Sequence, residues 1–211
     1  MRFLLVLALL LITGCTASTP RNINNVCDIF REKDDWYGDA HDSQDEWGTP
    51  IPIMMAMMYQ ESRFVAKAKP PRKKILGFIP GPRPSSSYGY SQAKKSTWKE
   101  YKSSAGNYGA DRDDFADAID FIGWYNYKSY KRSAISRKDA YNLYLAYHEG
   151  HGGYNRGTYR NKQWLQDVAR SGELGGLYAD MIGAAIGNLE DTFAGITADR
   201  LEAAARAIWA S

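Results

Sequence analysis

Two shortages in the 211-residue sequence limit the kind of protein that it can encode. It has only two cysteines, Cys15 and Cys27, so it cannot carry the several disulfides that stabilise many small secreted domains. Its longest apolar run, Phe3 to Ile12, covers ten positions and is too short to span a bilayer. The fold must therefore depend on a hydrophobic core, and the length suggests one domain.

Histidine is also scarce, with three residues in the whole chain. His148 and His151 are three positions apart, and His41 could supply a third zinc ligand. However, the spacing is not the His-Glu-x-x-His of metalloproteases, and Gly150 would interrupt a helix between the two histidines. We therefore predict no metal site and no cofactor, and we expect His148 to have a hydrogen-bonding role.

The first 15 residues have the pattern of an export signal. Arg2 is followed by the apolar run and then by Ile12-Thr13-Gly14-Cys15. This tetrapeptide resembles the lipobox of bacterial lipoproteins, which implies removal of residues 1–14 and acylation of Cys15. The residue after Cys15 is Thr16, and the inner-membrane sorting signal of enteric lipoproteins has Asp at this position. Thr16 therefore resembles the pattern of lipoproteins that are sorted to the outer membrane. An ordinary cleaved signal is the alternative.

The remaining chain divides into three segments. Residues 15–25 are polar and predict a tether, residues 26–171 form the domain, and residues 172–211 form an acidic Gly/Ala-rich extension whose role stays open. Apolar periodicity predicts helices over about 26–36, 50–64, 91–104, 113–131, 137–149 and 158–170. Thr49 is expected to cap the second of these helices, with Pro50 as its first residue. No alternation typical of a central sheet is evident, so the predicted fold is mainly α.

Residues 67–87 interrupt the helical pattern with six Lys or Arg residues and five prolines. Residues 75–79 between them could form a hairpin arm. So long an irregular segment is either functional or a solvated insertion. Outside residues 172–211 the net charge is +7, which suits an anionic partner, with an ordinary charge for solubility as the alternative. For an exported protein we expect cell-wall peptides or anionic lipids rather than nucleic acid.

Glu61 is the main catalytic candidate. It lies in the last turn of the predicted 50–64 helix, near Met57, Met58 and Phe64. Apolar neighbours and the negative end of the helix dipole should both raise the pKa of its carboxyl group. A carboxyl group that is protonated near neutral pH is what glycoside cleavage needs as a general acid. An exposed Glu at a helix end is the alternative.

Three motifs carry a family resemblance. They are Glu61-Ser62-Arg63-Phe64, Gly89-Tyr90-Ser91-Gln92 and Ala146-Tyr147-His148-Glu149-Gly150. In this order they resemble the motifs of the soluble-lytic-transglycosylase family, which shares the goose-type lysozyme fold, and the similar region covers about residues 47–170. The resemblance implies a lysozyme-like, mainly α fold into which the basic Pro-rich segment is inserted.

The resemblance also implies roles for individual residues. Glu61 would act as catalytic acid and base, Ser62 would support the helix end or contact sugar, and Gln92 would bind the sugar's N-acetyl or hydroxyl groups. Tyr147 would place its hydroxyl near Glu61 and stabilise charge. Tyr90 and Ser91 replace Leu and Met of the usual second motif, so they would give the sugar pocket a different wall.

Two positions depart from the family pattern or stay undecided. His148 replaces the usual Asn of the third motif. The serine that relatives place between the first two motifs could be Ser85, Ser86 or Ser87, without preference.

The reaction that the resemblance implies is cleavage of the β-1,4 bond between N-acetylmuramic acid (MurNAc) and N-acetylglucosamine (GlcNAc) in peptidoglycan. The product would be 1,6-anhydro-MurNAc. A lipid anchor would hold the enzyme at the periplasmic face of the outer membrane. The alternatives are a hydrolytic muramidase of the same fold and a non-catalytic wall-binding lipoprotein.

Overall fold

The structure is a computed structural model that describes residues 18–75 and 78–170. The predicted signal peptide, Cys15 and the extension 172–211 lie outside these residues. The described chain is mainly helical, as predicted, with eight α-helices. These are α1 (Val26–Glu32), α2 (Asp34–Trp47), α3 (Ile51–Ser62), α4 (Lys95–Ser104), α5 (Phe115–Ser133), α6 (Ala140–Glu149), α7 (His151–Arg156) and α8 (Gln163–Arg170). A short 3-10 helix, Thr158–Asn161, joins α7 to α8.

Helix α3 is the buried centre of the fold. All six residues from Ile53 to Met58 are fully buried, so the helix is apolar on every side. It packs against α2 and α5, and these two helices also pack against each other over most of their length. Gly123 of α5 permits that approach, since a Cβ there would lie 2.5 Å from the Ser43 hydroxyl of α2. The core therefore holds α3, and with it Glu61, in a fixed position.

The start of α3 differs from the prediction. Pro50 is the residue before the helix, and its own side chain makes no capping hydrogen bond. The Thr49 hydroxyl is buried without a hydrogen-bond partner in the described part of the chain. The backbone N–H of Ile51 instead donates to the side-chain oxygen of Gln44, at 3.0 Å. The predicted Thr49 cap is thus wrong, because a side chain from α2 takes over the capping role.

Residues 18–25, the described part of the predicted tether, contact the domain. Pro20 is buried and Ile23 packs against the core. The Tyr59 hydroxyl of α3 donates to the Asn24 side chain at 3.0 Å. Asn25 caps α1 by accepting a hydrogen bond from the Asp28 backbone N–H. Packing with the domain therefore begins before Val26.

The basic Pro-rich segment forms an exposed arm. Its strands β1 (Lys74–Ile75) and β2 (Ile79–Pro80) pair antiparallel, which agrees with the predicted hairpin. Arg83 ties the base of the arm by donating to the Pro70 carbonyl. Among the described residues, no helix combines the length and apolar character needed to cross a membrane.

Candidate active site

A cavity of about 310 Å³ lies where the end of α3, the start of α4, the middle of α5 and the end of α6 meet. This volume is near the lower limit of small-molecule sites, which span roughly 300–1,000 Å³. Its walls contain residues from all three sequence motifs: Glu61, Ser87, Gln92, Ala93, Lys94, Thr97, Phe121, Tyr125, Tyr147, His148, Glu149 and Gly150. The fold thus brings together Glu61, Gln92 and Tyr147, which are far apart in sequence.

Glu61 occupies the cavity wall in the last turn of α3. Burial raises the pKa of its carboxyl group to about 7, because the surrounding protein disfavours the charged form. This agrees with the expectation from the sequence. At neutral pH about half of the Glu61 side chains therefore carry a proton that they can donate.

The chain turns sharply after Glu61, and the next three residues fix this turn. The Ser62 hydroxyl donates to the Met58 carbonyl one turn back, at 3.2 Å, and Ser62 is buried. Arg63 and Phe64 both have left-handed backbone angles, with φ of 52° and 58°. Such angles strain residues other than glycine, and the complete burial of Phe64 offsets the strain. Ser62 therefore supports the helix end, and it is not among the residues that line the cavity.

Gln92 belongs to a tight loop that only glycine allows to form. Gly89 has φ of 80°, and a Cβ there would lie 1.8 Å from the Arg112 carbonyl oxygen. The Gln92 side chain donates from Nε2 to the carbonyls of Ala68 and Gly89, at 3.0 and 2.8 Å. Both of its N–H groups are therefore occupied, which leaves the side-chain carbonyl to accept a hydrogen bond from a ligand.

Tyr147 connects α6 to the Gln92 loop. Its hydroxyl donates to the Ser91 carbonyl at 2.6 Å. Burial, together with the nearby Glu61 carboxyl, raises the pKa of Tyr147 well above its usual value, so the phenol stays neutral. Because its only proton is directed to Ser91, the Tyr147 oxygen can only accept a further hydrogen bond.

Glu149 places a second carboxyl group on the cavity wall. Burial alone would raise its pKa, but hydrogen bonds from Lys162, Thr158 and His148 outweigh burial and lower the pKa to about 2. Lys162 donates at 2.6 Å, and the His148 ring lies 3.1 Å from the same oxygen. Glu149 is therefore ionised at neutral pH and is a weak base.

The side chains of Tyr90 and Ser91 lie behind the cavity wall. Tyr90 is 1% exposed, with its ring 5.7 Å from that of Trp36 and 6.0 Å from that of Phe115. Ser91 is fully buried and meets the site through its backbone carbonyl. The expectation that these two side chains form the wall of the sugar pocket does not match their positions, because the loop turns them into the core.

The three candidate serines differ in their position relative to the cavity. Of Ser85, Ser86 and Ser87, only Ser87 lines the cavity that contains Glu61. The sequence also did not single out Thr97 or Tyr125. Tyr125 follows the same apolar periodicity as the core residues of α5, and Thr97 stands in no motif, so neither gave a signal.

The histidines take part in hydrogen bonds and ring contacts. The His151 ring lies 2.9 Å from the Ser129 hydroxyl and stacks on Tyr125. Within residues 18–75 and 78–170, no group of three metal-binding side chains is close enough together to hold an ion.

One comparison with known proteins identifies the family of the chain. The family model for the transglycosylase SLT domain matches residues 3–174, so the chain belongs to that family. Membership points to a peptidoglycan-cleaving function of the lytic-transglycosylase type and to peptidoglycan as the bound substrate. No curated protein and no solved structure gave a significant match.

Proposed function

We propose that the protein is a lytic transglycosylase of the glycoside hydrolase family 23 type. It cleaves the MurNAc–GlcNAc β-1,4 bond and leaves 1,6-anhydro-MurNAc. The observation that carries the proposal is the Glu61 carboxyl, whose pKa is raised to about 7 in a cavity that also contains Gln92 and Tyr147.

Glu61 can serve both proton transfers. In its neutral form it donates a proton to the glycosidic oxygen while the bond from that oxygen to C1 of MurNAc breaks. The resulting carboxylate then accepts the proton of the MurNAc C6 hydroxyl as the C6 oxygen bonds to C1. The substrate's 2-acetamido group assists at C1, as the family resemblance implies. No water is consumed, and Glu61 returns to its starting state.

Gln92 and Tyr147 would position the substrate. The Gln92 carbonyl is suited to accept a hydrogen bond from a sugar hydroxyl or from the N–H of an acetamido group. The Tyr147 oxygen, held by its bond to Ser91, can place partial negative charge near the positive charge that develops at C1.

Hydrolysis is the second candidate, because Glu149 shares the cavity with Glu61. In inverting glycosidases a second carboxylate activates water. However, Glu149 accepts hydrogen bonds from three groups, which lower its pKa to about 2. A carboxylate so stabilised withdraws a proton from water poorly, and this favours the reaction that needs one carboxyl group.

Mass spectrometry of digested sacculi tests the reaction. We expect the purified protein to release muropeptides that end in anhydro-MurNAc, each lighter by one water than the hydrolysis product. Glu61→Gln should abolish release and keep the circular dichroism spectrum of the parent, because an amide cannot supply the proton.

Three outcomes would count against the proposal. Reducing-end MurNAc as the product would favour hydrolysis. Activity of Glu61→Gln within tenfold of the parent would refute the role of Glu61. Absence of any release by the parent would favour a non-catalytic wall-binding protein.

We further propose that Cys15 is lipidated and that the enzyme is anchored at the periplasmic face of the outer membrane. The sequence pattern of residues 1–16 supports this location. In cells, labelled palmitate should be incorporated into the parent chain, and Cys15→Ser should not incorporate it and should move to the soluble fraction. An equal membrane association of both chains would contradict the anchor.

A further inference from the structure

A second pocket of about 330 Å³ lies beside the catalytic cavity. Ser87 lines both spaces, and the neighbouring lysines Lys94 and Lys95 line the first and the second respectively. The two spaces are therefore adjacent parts of one surface. We call the second space the basic pocket.

Four cationic side chains surround the basic pocket: Lys69, Arg83, Lys95 and Arg112. No acidic side chain lines it. In the part of the chain that the structure describes, none of the four takes part in an ion pair. Three serines, Ser85, Ser86 and Ser87, add hydroxyl groups to the wall.

Protein contacts orient three of the four cations, Lys69, Arg83 and Arg112. Arg112 donates to the carbonyls of Ser86 and Ala93, both at 2.9 Å. The Tyr88 ring lies between Lys69 and Arg112, 5.1 Å from the Lys69 ammonium and 5.0 Å from the Arg112 guanidinium. Two carboxylates outside the wall, Asp111 and Asp113, attract the Arg112 guanidinium, and Asp113 also accepts a hydrogen bond from the Tyr88 hydroxyl at 3.0 Å. Asp111 and Asp113 therefore balance only part of the positive charge of the pocket.

A group of cations in a pocket whose wall has no acidic side chain favours an anionic ligand, and serine hydroxyls add hydrogen-bond donors. In peptidoglycan, the sugar that carries the scissile bond also bears, at its O3, a lactyl group with a peptide that contains free carboxylates. A MurNAc unit in the catalytic cavity would direct this peptide along the surface next to it.

We propose that the basic pocket binds a carboxylate of the stem peptide and thereby selects peptide-bearing glycan over bare glycan. This proposal rests on the proposed function. The two spaces are adjacent, and the stem peptide is covalently linked to the sugar in the catalytic cavity. A lipid head group has no such link, so the position of the pocket favours the peptide.

The test compares intact sacculi with glycan strands from which an amidase has removed the stem peptides. We expect the parent protein to cleave intact strands with a kcat/KM about tenfold higher, mainly through a lower KM. The double variant Lys69→Gln, Lys95→Gln should lose most of this preference and should cleave bare strands as the parent does. The same double variant combined with Glu61→Gln cannot cleave its substrate, so its sedimentation with sacculi measures binding alone. We expect less of it to sediment than of the Glu61→Gln single variant.

A matched control removes two lysine charges from a part of the Pro-rich segment that lies outside the pocket. Lys73→Gln with Lys74→Gln should keep the preference, since neither residue lines the basic pocket. If the parent protein cleaved both substrates equally well, this inference would be wrong and the proposed function would stand. If the parent protein cleaved neither substrate, both the inference and the proposed function would be wrong. If the pocket variant instead lost only its binding to vesicles of anionic phospholipid, the pocket would be a lipid site and the inference would be wrong.

Discussion

Two carboxyl groups on one cavity wall have pKa values shifted in opposite directions, and their neighbours explain the difference. Glu61 lies at the cavity wall, and burial is the cause that raises its pKa to about 7. Glu149 has a side chain only 4% exposed, yet a lysine, a hydroxyl and an imidazole bond to it and lower its pKa to about 2. At neutral pH the first can therefore act as an acid, and the second is a fixed negative charge.

Tyr147→Phe tests the positioning role of the phenol. The change removes the hydrogen bond to Ser91 and the oxygen near Glu61, while the ring can still pack against Tyr125. We expect kcat to fall roughly tenfold, equivalent to about 1.4 kcal/mol in the barrier. Kinetics on isolated glycan strands would measure this, and an unaltered kcat would remove the proposed role. Tyr159→Phe, outside the cavity, is the control.

At the level of residues, the sequence predicted the apolar surroundings and raised pKa of Glu61, because these surroundings are local. Met57, Met58 and Phe64 are close in sequence, and all three are fully buried in the structure. Tyr90 could not be placed in this way, because the direction of its side chain depends on Gly89, whose left-handed angle is set by contact with the distant Arg112.

At the level of elements, Glu149 connects the end of α6 to the 3-10 helix and to the start of α8 through side-chain hydrogen bonds. It ends α6 and accepts hydrogen bonds from Thr158 in the 3-10 helix and from Lys162 just before α8. Glu149→Gln should therefore reduce the free energy of unfolding at pH 7 by about 1–3 kcal/mol. Thermal unfolding measures this, and the exposed Glu46→Gln on α2 serves as the control.

The sign of the pH effect follows from the lowered pKa. The stability that Glu149 contributes is fully present above the unfolded pKa of about 4.5 and is lost as the pH falls toward about 2. The difference in melting temperature between parent and Glu149→Gln should accordingly shrink over this range. A difference that stayed constant from pH 7 to pH 2 would contradict the assignment.

Several helices were predictable from sequence, but most of α2 and all of α7 were not predicted, and the connections between helices were also less predictable. The apolar run of α3 predicted a buried helix, and the structure confirms it. The predicted helix over 26–36 is instead part of two helices, because Lys33 adopts non-helical angles (φ −124°, ψ 77°) between α1 and α2. Capping of α3 by Gln44 depends on how α2 folds back, which no local pattern contains.

For the whole molecule, the order of the three motifs predicted the site, and packing of α3, α5 and α6 assembles it. The basic pocket was not predictable, because it combines residues from the Pro-rich segment, α4 and the loop before α5. The sequence indicated only that residues 67–87 are basic and that the body of the protein suits an anionic partner.

The proposed reaction depends on the protonation state of Glu61 in the folded protein. A carbon-detected NMR titration of protein labelled at the Glu carboxyl carbons would measure it, with Glu61→Gln used to assign the signal. We predict a midpoint near pH 7, with the carboxyl protonated below and charged above, and a kcat/KM that falls above the same pH. A midpoint near 4.5, the value of an ordinary exposed Glu, would contradict the proposal.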